Sequence, residues 1–192
     1  SDACSGVNWT NDYVSLSDDC VATGSALVTF TVTDSCGNAS ETSATFKIQD
    51  TTAPMIELAA SDSAVECDGM GNMDALNAWL ESHGGAMASD ACSGVSWSHD
   101  YDALSDDCGA TGSATVTFTA TDDCGNATST TATFTIEDTT NPTMDTAASN
   151  ETVECDGMGN MDALNAWLES NGGAMASDAC SGVSWSHDYD AL

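Results

Sequence analysis

The sequence predicts an all-β fold, a tandem array of antiparallel β-sandwich domains that each carry one short α-helix. Three observations predict it. The motif Ser-Asp-Ala-Cys-Ser-Gly begins at residues 1, 89 and 177, which is a spacing of 88. The stretches at 114–121 and 131–136 alternate apolar residues with threonine, as half-buried strands do, and one further stretch has the apolar spacing of a helix.

The repeat sets the predicted domain limits. Residues 17–104 and 105–192 differ at only 18 of 88 aligned positions, so the copies are near-duplicates. Pro54 and Pro142 each follow a strand-like stretch, and proline restricts the residue before it to extended geometry. We therefore predict three parts, which we call the first, second and third copies: the C-terminal part of one domain at 1–53, a complete domain at 54–140, and the N-terminal part of the next at 141–192. We expect the copies to belong to a longer array.

Strands of the second copy follow from its alternation. Apolar residues occupy every second position over 114–121 and 131–136, with threonines between them. The sequence Asp-Asp-Cys-Gly-Asn at 122–126 favours a turn, so the two stretches predict a hairpin. Segments 63–67 and 94–101 are two further predicted strands. Together they indicate an antiparallel sandwich.

One segment of the second copy predicts a helix. Met73, Leu76, Trp79 and Leu80 recur at spacings of three and four, which places them on one helical face. Asn72 is a suitable N-cap residue, and Gly84-Gly85 would end the helix. We expect Trp79 to anchor the core of a domain that has few aromatic residues.

Charge excludes several classes of partner. The chain has 31 acidic residues and a single Lys or Arg, giving a formal net charge of −30. A nucleic-acid-binding protein needs clustered Lys and Arg to neutralise phosphates, so we predict no nucleic-acid partner. The longest apolar runs are far shorter than the roughly 20 residues that span a bilayer, so we predict no membrane insertion.

Nine cysteines in a chain with three histidines predict disulfides and an extracellular or cell-surface location. Each full copy supplies four cysteines, which allow three pairings within the copy. Cys108 and Cys124 bracket a strand of roughly 30 Å, whereas bonded Cα atoms lie about 5.5 Å apart, so these two should not pair with each other.

Loops at the same end of a sandwich then define the predicted bonds. We predict Cys92–Cys124, its equivalent Cys4–Cys36, and Cys67–Cys108. The alternative is Cys67–Cys92 together with Cys108–Cys124. Our prediction assigns the three remaining cysteines to partners outside residues 1–192: Cys20, Cys155 and Cys180.

Four motifs occur in a fixed order within the copy: Val-Glu-Cys (65–67), Ser-Asp-Ala-Cys-Ser-Gly (89–94), Thr-Ala-Thr-Asp-Asp-Cys-Gly-Asn (119–126) and Ile-Glu-Asp-Thr-Thr-Asn-Pro (136–142). Together they resemble the hyalin-type (HYR-like) immunoglobulin-like repeats of very large bacterial surface adhesins. The resemblance implies tandem immunoglobulin-like sandwiches in a secreted or surface-anchored stalk, without catalytic residues. The helix at 73–81 departs from the commonest pattern of that family, in which a second strand is expected there.

Calcium is the cofactor that the acidic residues suggest, because it takes six to eight oxygen ligands. The end of a last strand and the loops of the following domain should meet where two copies join. We predict a calcium site there, formed by Asp50, Asp90, Asp122, Asp123 and Asn126. The alternative is that these residues are solvated surface acids that keep the protein soluble.

Four short motifs resemble the Asp-Ser/Thr-small O-glycosylation signal of the bacteria that carry these adhesins. They place covalent glycans on Thr51, Ser63, Thr139 and Thr146. Glycans at such positions would protect and solubilise the linkers.

These observations predict a structural protein, a stalk or filament in which neighbouring repeats of the same chain or fibre are the main partners. The alternative is an adhesin module that binds carbohydrate multivalently through the repeated surface. An enzyme is disfavoured, since adjacent acids such as Asp100 and Asp102 have no partner base, and His83 is replaced by Asn171 in the next copy.

Overall fold

The computed structural model describes residues 6–190. These residues form a β-rich fold with two short α-helices, each followed by a 3₁₀ turn, so the predicted β-rich character is confirmed. No helix in this range is long and apolar enough to cross a membrane. The elements are β1 (Val7–Asn11), β2 (Gly24–Asp34), β3 (Ala39–Ile48), β4 (Met55–Leu58), β5 (Ser63–Glu66), α1 (Met73–Glu81), β6 (Met87–Ser89), β7 (Val95–His99), β8 (Gly112–Asp122), β9 (Ala127–Glu137), β10 (Thr143–Thr146), α2 (Met161–Glu169) and β11 (Met175–Ser177).

Residues 6–190 divide into two compact units, and each combines parts of two successive copies. Unit 1 consists of residues 6–60, 85–100 and 117–131. Unit 2 consists of residues 61–84, 101–116 and 132–190. Contacts between successive copies are therefore internal to each unit. The domain limits after residues 53 and 140 stay a prediction.

Unit 1 is built from antiparallel pairs. Strands β1, β2 and β3 form a three-stranded sheet, in which Gly24 pairs with Ile48 and Thr33 with Ala39. Strand β4 pairs with β6, and β7 pairs with the second half of β8. The strands β4 and β6 were not predicted, because segments of three and four residues are too short to show a period.

Unit 2 contains one parallel pair, which corrects the prediction of a purely antiparallel fold. Strand β5 runs parallel to the end of β9, with Ser63 opposite Phe134 and Glu66 opposite Glu137. The long connection between β5 and β9, which includes α1, permits this direction, since parallel strands need a crossover. Strand β10 pairs with β11 antiparallel, and β9 lies between β5 and β8.

The predicted hairpin is confirmed, and its apolar positions form the core. Val116, Phe118 and Ala120 of β8 have no exposed surface. The alternating positions of β9 are also buried, namely Ala132, Phe134 and Ile136. Burial at every second residue is the result of strand geometry, which sends successive side chains to opposite faces.

Helix α1 has the predicted limits, and three of its four predicted apolar residues are buried: Leu76, Trp79 and Leu80. The ring of Trp79 lies 5.5 Å from that of Phe134, and its Nε1 donates a hydrogen bond to the Ser61 carbonyl at 3.1 Å. Trp79 is thus the core anchor that the sequence predicted. Met73 differs, with 52% of its surface exposed.

Asn72 occupies the N-cap position of α1 but makes no capping hydrogen bond with its side chain. Its Nδ2 donates to the Glu66 carbonyl at 2.9 Å, and its Oδ1 accepts from the Asp68 backbone at 3.1 Å. With a φ of 51°, the residue is in the left-handed region, which Asn tolerates better than most residues. Asn72 therefore fixes the loop after β5 instead of capping the helix.

Candidate functional site

Two disulfides join successive copies of the repeat. Cys20 of the first copy is bonded to Cys124 of the second, with Cα atoms 5.4 Å apart. Cys67 of the second copy is bonded to Cys180 of the third, with Cα atoms 5.9 Å apart. Their sequence separations are 104 and 113, both larger than the 88-residue period. The candidate functional site is therefore the junction between copies.

This pairing corrects the predicted one. Cys92–Cys124 and Cys67–Cys108 are wrong, and so is the alternative set, because Cys67 and Cys124 each bond a cysteine of a different copy. The bond Cys4–Cys36 cannot be placed, since Cys4 lies outside the described residues and Cys36 has no partner within them. Cys20 and Cys180, which were assigned to partners outside the chain, pair inside it.

The error has a simple cause. The prediction rested on pairs within one copy, but a repeat can equally carry a bond from one copy to the next. The signal was the periodic spacing itself, since any pairing offset by one copy also repeats every 88 residues. Among residues 6–190, four cysteines have no disulfide and are exposed: Cys36, Cys92, Cys108 and Cys155.

A tight turn positions Cys20 in unit 1. The backbone N–H of Cys20 donates to Thr23 Oγ1 at 3.0 Å, and the Thr23 hydroxyl and backbone N–H both donate to the Cys20 carbonyl. Thr23 is 7% exposed. On the partner side, Asp122 Oδ1 accepts from the backbone N–H groups of Cys124 and Asn126. Both sulfurs are thus displayed from turns that hydrogen bonds hold in shape.

Glycines let the second and third copies approach closely around Cys180 in unit 2. The backbone N–H of Ala110 donates to the Cys180 carbonyl at 2.9 Å. A Cβ at Gly109 would collide with that same carbonyl, and a Cβ at Gly69 would collide with the Ala179 carbonyl. The junction therefore requires the absence of a side chain at both positions.

An acidic cluster lies beside the junction in each unit. Asp50, Asp90 and Cys92 place one ligand atom each within 4.8 Å of one another in unit 1. The equivalent residues of the next copy do the same in unit 2, namely Asp138, Asp178 and Cys180. The structure therefore brings together Asp50 and Asp90, two of the five residues predicted for calcium.

The other three predicted ligands are engaged in hydrogen bonds. Asp122 is 4% exposed and accepts through both oxygens in its turn. Asp123 Oδ2 accepts from the Gly94 backbone at 3.2 Å. Asn126 Nδ2 donates to the Asp50 carbonyl at 3.4 Å and to Asp122 Oδ2 at 2.8 Å.

The carboxylates of the cluster, and not its sulfur, fit a hard cation. Asp50 Oδ2 is buried and has no hydrogen-bond partner among residues 6–190, so it is an oxygen with unused acceptor capacity. The negative charge of Asp50, followed by burial, raises the pKa of the Cys92 thiol, which keeps it protonated. In unit 2 the corresponding sulfur belongs to a disulfide, and Asp138 Oδ2 accepts from the Ser181 hydroxyl at 3.3 Å.

The predicted glycosylation residues differ in access. Thr51, Thr139 and Thr146 are exposed, whereas Ser63 is half-buried in β5. The Thr139 hydroxyl donates to Glu66 Oε2 at 2.8 Å. A glycan on Thr139 would replace the hydrogen of that bond.

A cavity of about 400 Å³ lies beside α2 and is lined by Val153, Leu164 and Trp167, among other residues. The equivalent of Trp167 in the second copy is Trp79, which packs against Phe134. Residues 141–192 do not include a counterpart of β9, so the cavity is the uncovered core face of the third copy. It carries no argument for a ligand.

The fold and site define a β-rich protein whose successive sequence copies are joined by disulfides. No protein-family model matches this chain, and no curated protein matches it significantly. Disulfides persist in oxidising compartments, so the chain belongs outside the reducing cytosol.

Proposed function

We propose that this chain is part of an extracellular structural stalk or filament, built from tandem immunoglobulin-like sandwiches of the hyalin type. The observation that carries the proposal is the pair of disulfides between successive copies. A bond within one domain stabilises that domain alone. A bond between copies also fixes their connection, which is useful to a protein that transmits force along its length.

The mechanical consequence can be estimated from the covalent connections. A fully extended chain spans about 3.5 Å per residue, so 192 residues would reach about 650 Å. With both disulfides intact, the shortest covalent path from end to end passes through Cys67–Cys180 and omits residues 68–179, which limits the reach to about 280 Å. The bonds would thus prevent more than half of the extension that unfolding would otherwise allow.

Calcium and glycans belong to the same proposal. Asp50 and Asp90 would hold the cation where the first and second copies meet, and Asp138 and Asp178 would do so at the next junction. A bound cation would reduce the repulsion within a chain of net charge −30. Glycans on the exposed Thr51, Thr139 and Thr146, and on Ser63, would shield the linkers; intact-mass analysis giving the bare polypeptide mass would remove this part.

Electron microscopy of cells that produce the protein tests the role. An antibody raised against residues 54–140 should label filaments outside the cell, with an axial period of roughly 40 Å per copy. Label confined to the cell interior would overturn the proposal. Binding of the purified chain to a glycan array, without filaments, would favour a carbohydrate-binding module instead.

A further inference from the structure

We propose that every junction between successive copies carries both kinds of disulfide, so that two disulfides connect each copy to the next. Each of the four exposed, unbonded cysteines would then form a disulfide with a cysteine in a further copy of the repeat in the same chain. The inference rests on the pairing pattern and does not depend on the mechanical role.

Each unbonded cysteine occupies the repeat position of a bonded one. Cys36 lies 88 residues before Cys124, and Cys108 lies 88 residues after Cys20. In the second kind of bond, Cys92 lies 88 residues before Cys180, and Cys155 lies 88 residues after Cys67. No cysteine among the four lacks a bonded equivalent.

The chain contains only one complete pair for each kind of bond. At the junction of the first and second copies, the cysteine that would bond Cys92 corresponds to Cys67 and would lie 88 residues before it, which is ahead of residue 1. At the junction of the second and third copies, the one that would bond Cys108 corresponds to Cys124 and follows residue 192. Partners at the required spacing are therefore outside the 192 residues, which accounts for the unbonded thiols.

The loop of Cys36 already has the geometry of the bonded Cys124 loop. Asp34 Oδ1 accepts from the backbone N–H groups of Cys36 and Asn38, both at 2.8 Å. Asp122 Oδ1 accepts from Cys124 and Asn126 at 2.9 and 2.8 Å. The turn therefore has the same backbone hydrogen bonds whether or not its cysteine is in a disulfide.

The loop of Cys108 matches the bonded Cys20 loop. The Cys108 N–H donates to Thr111 Oγ1 at 3.2 Å, and the Thr111 hydroxyl donates back to the Cys108 carbonyl at 2.8 Å. The corresponding distances for Cys20 and Thr23 are 3.0 and 2.9 Å.

The second kind of bond shows the same agreement. Asp90 Oδ1 accepts from Cys92 and Ser93 at 2.8 and 3.1 Å, as Asp178 Oδ1 does from Cys180 and Ser181 at 2.9 Å each. Around Cys155, Asn160 Nδ2 donates to the carbonyl of Glu154 at 2.8 Å, as Asn72 Nδ2 does to the carbonyl of Glu66 beside Cys67. All four unbonded cysteines thus lie in loops that have the same hydrogen bonds as the loops of their bonded equivalents.

Bond formation follows ordinary thiol chemistry. Two thiols, one from each copy, give up two protons and two electrons to a disulfide-containing oxidant, which is reduced to its dithiol. One S–S bond forms in the protein and one breaks in the oxidant.

The test is a chain extended by one copy, in which residues 105–192 are repeated after Leu192. The present chain has nine cysteines, so the two disulfides without any further one would leave five thiols. The extension adds four cysteines, and the proposal requires two new bonds, from Cys108 and Cys155 to the added equivalents of Cys124 and Cys180. The thiol count under denaturing, non-reducing conditions should therefore remain five.

A variant of the extended chain provides the control. Replacing the added equivalent of Cys124 by serine should leave Cys108 as a thiol, raise the count to six and preserve the bond of Cys155. A count of nine in the parent extended chain would overturn the proposal, as would new bonds within the added copy. Disulfide-linked dimers formed through Cys108 or Cys155 of the extended chain would also overturn it, since their partner would then be a separate chain.

Discussion

Glu66 holds Thr139 with both oxygens of its carboxylate: Oε1 accepts from the Thr139 backbone at 3.0 Å, and Oε2 from its hydroxyl at 2.8 Å. The Thr140 hydroxyl also donates to Oε1, at 2.7 Å. The end of β5 thus fixes the linker that leads from the second copy to the third. This contact connects a residue at the start of a domain with the segment that leaves it.

Replacing Glu66 by glutamine should lower the thermal unfolding temperature. The amide keeps one acceptor oxygen and loses the charge, so at least one of the three hydrogen bonds is weakened. Glu154→Gln is the matched control, because residues 141–192 contain no counterpart of Thr139 for Glu154 to bind. Equal melting temperatures for Glu66→Gln and Glu154→Gln, measured by circular dichroism, would contradict the role of Glu66.

The same contact predicts a dependence on pH. Hydrogen bonds from the Thr140 side chain, and then from the Thr139 backbone and side chain, hold the pKa of Glu66 below its usual 4.5. A depressed pKa stabilises the folded state above the unfolded-state value, and that stabilisation is lost as the pH falls through the folded-state pKa. The difference in stability between the parent and Glu66→Gln should therefore shrink below about pH 4.5; a difference constant from pH 7 to pH 2 would contradict this.

Gly69 and Gly157 separate the cost of backbone conformation from that of the junction. Both have a φ of 74°, so alanine at either position bears a similar strain, about 1 kcal/mol. Only Gly69 lies against the neighbouring copy, where a Cβ would collide with the Ala179 carbonyl. Urea unfolding should show that Gly69→Ala is less stable than Gly157→Ala by about 1–3 kcal/mol, the usual cost of overpacking. Equal losses would mean that the close approach at the junction does not matter.

Calcium should raise the unfolding temperature, and excess chelator should lower it, if the acidic clusters hold a cation. Asp50→Asn should reduce the calcium effect, because it removes a carboxylate whose Oδ2 is buried without a partner. Asp102→Asn makes the same change of charge at an exposed residue outside both clusters and should leave the effect intact. An unfolding temperature that is the same with calcium and with excess chelator would mean that the clusters are surface acids and bind no cation.

Local patterns were predictable from the sequence because they depend on neighbouring residues. The alternation at 116–120 and 132–136 predicted the buried face, and the spacing of Leu76, Trp79 and Leu80 predicted the buried helix. Strands β4 and β6 lacked such a signal, since each pairs with the other across the 28 residues that separate Leu58 from its partner Met87. The direction of β5 likewise depends on a partner far along the chain.

The junction was only partly predictable. The convergence of Asp50 and Asp90 followed from the expectation that strand ends and loops meet where two copies join. The disulfides did not follow, since four equivalent cysteines per copy leave the offset between copies undetermined. Gly69 and Gly109 illustrate this limit, because only the folded junction shows which carbonyl a Cβ at each position would collide with.

The disulfides between successive copies are tested most directly by disulfide mapping. The chain should be produced in an oxidising compartment, and its free thiols should be blocked so that thiol–disulfide exchange cannot occur. A protease that cleaves at acidic residues is required, because one Lys or Arg leaves trypsin too few sites, whereas acids separate the cysteines. Mass spectrometry of the unreduced digest should find one peptide pair containing Cys20 and Cys124 and another that joins the Cys67 peptide to the peptide sequence shared by Cys92 and Cys180. A variant with Cys92→Ser and Cys155→Ser should keep the second pair, which assigns it to Cys67 and Cys180. Pairs that link Cys92 to Cys124 and Cys67 to Cys108 would contradict this structure, because each disulfide would then lie within one copy and none would join successive copies.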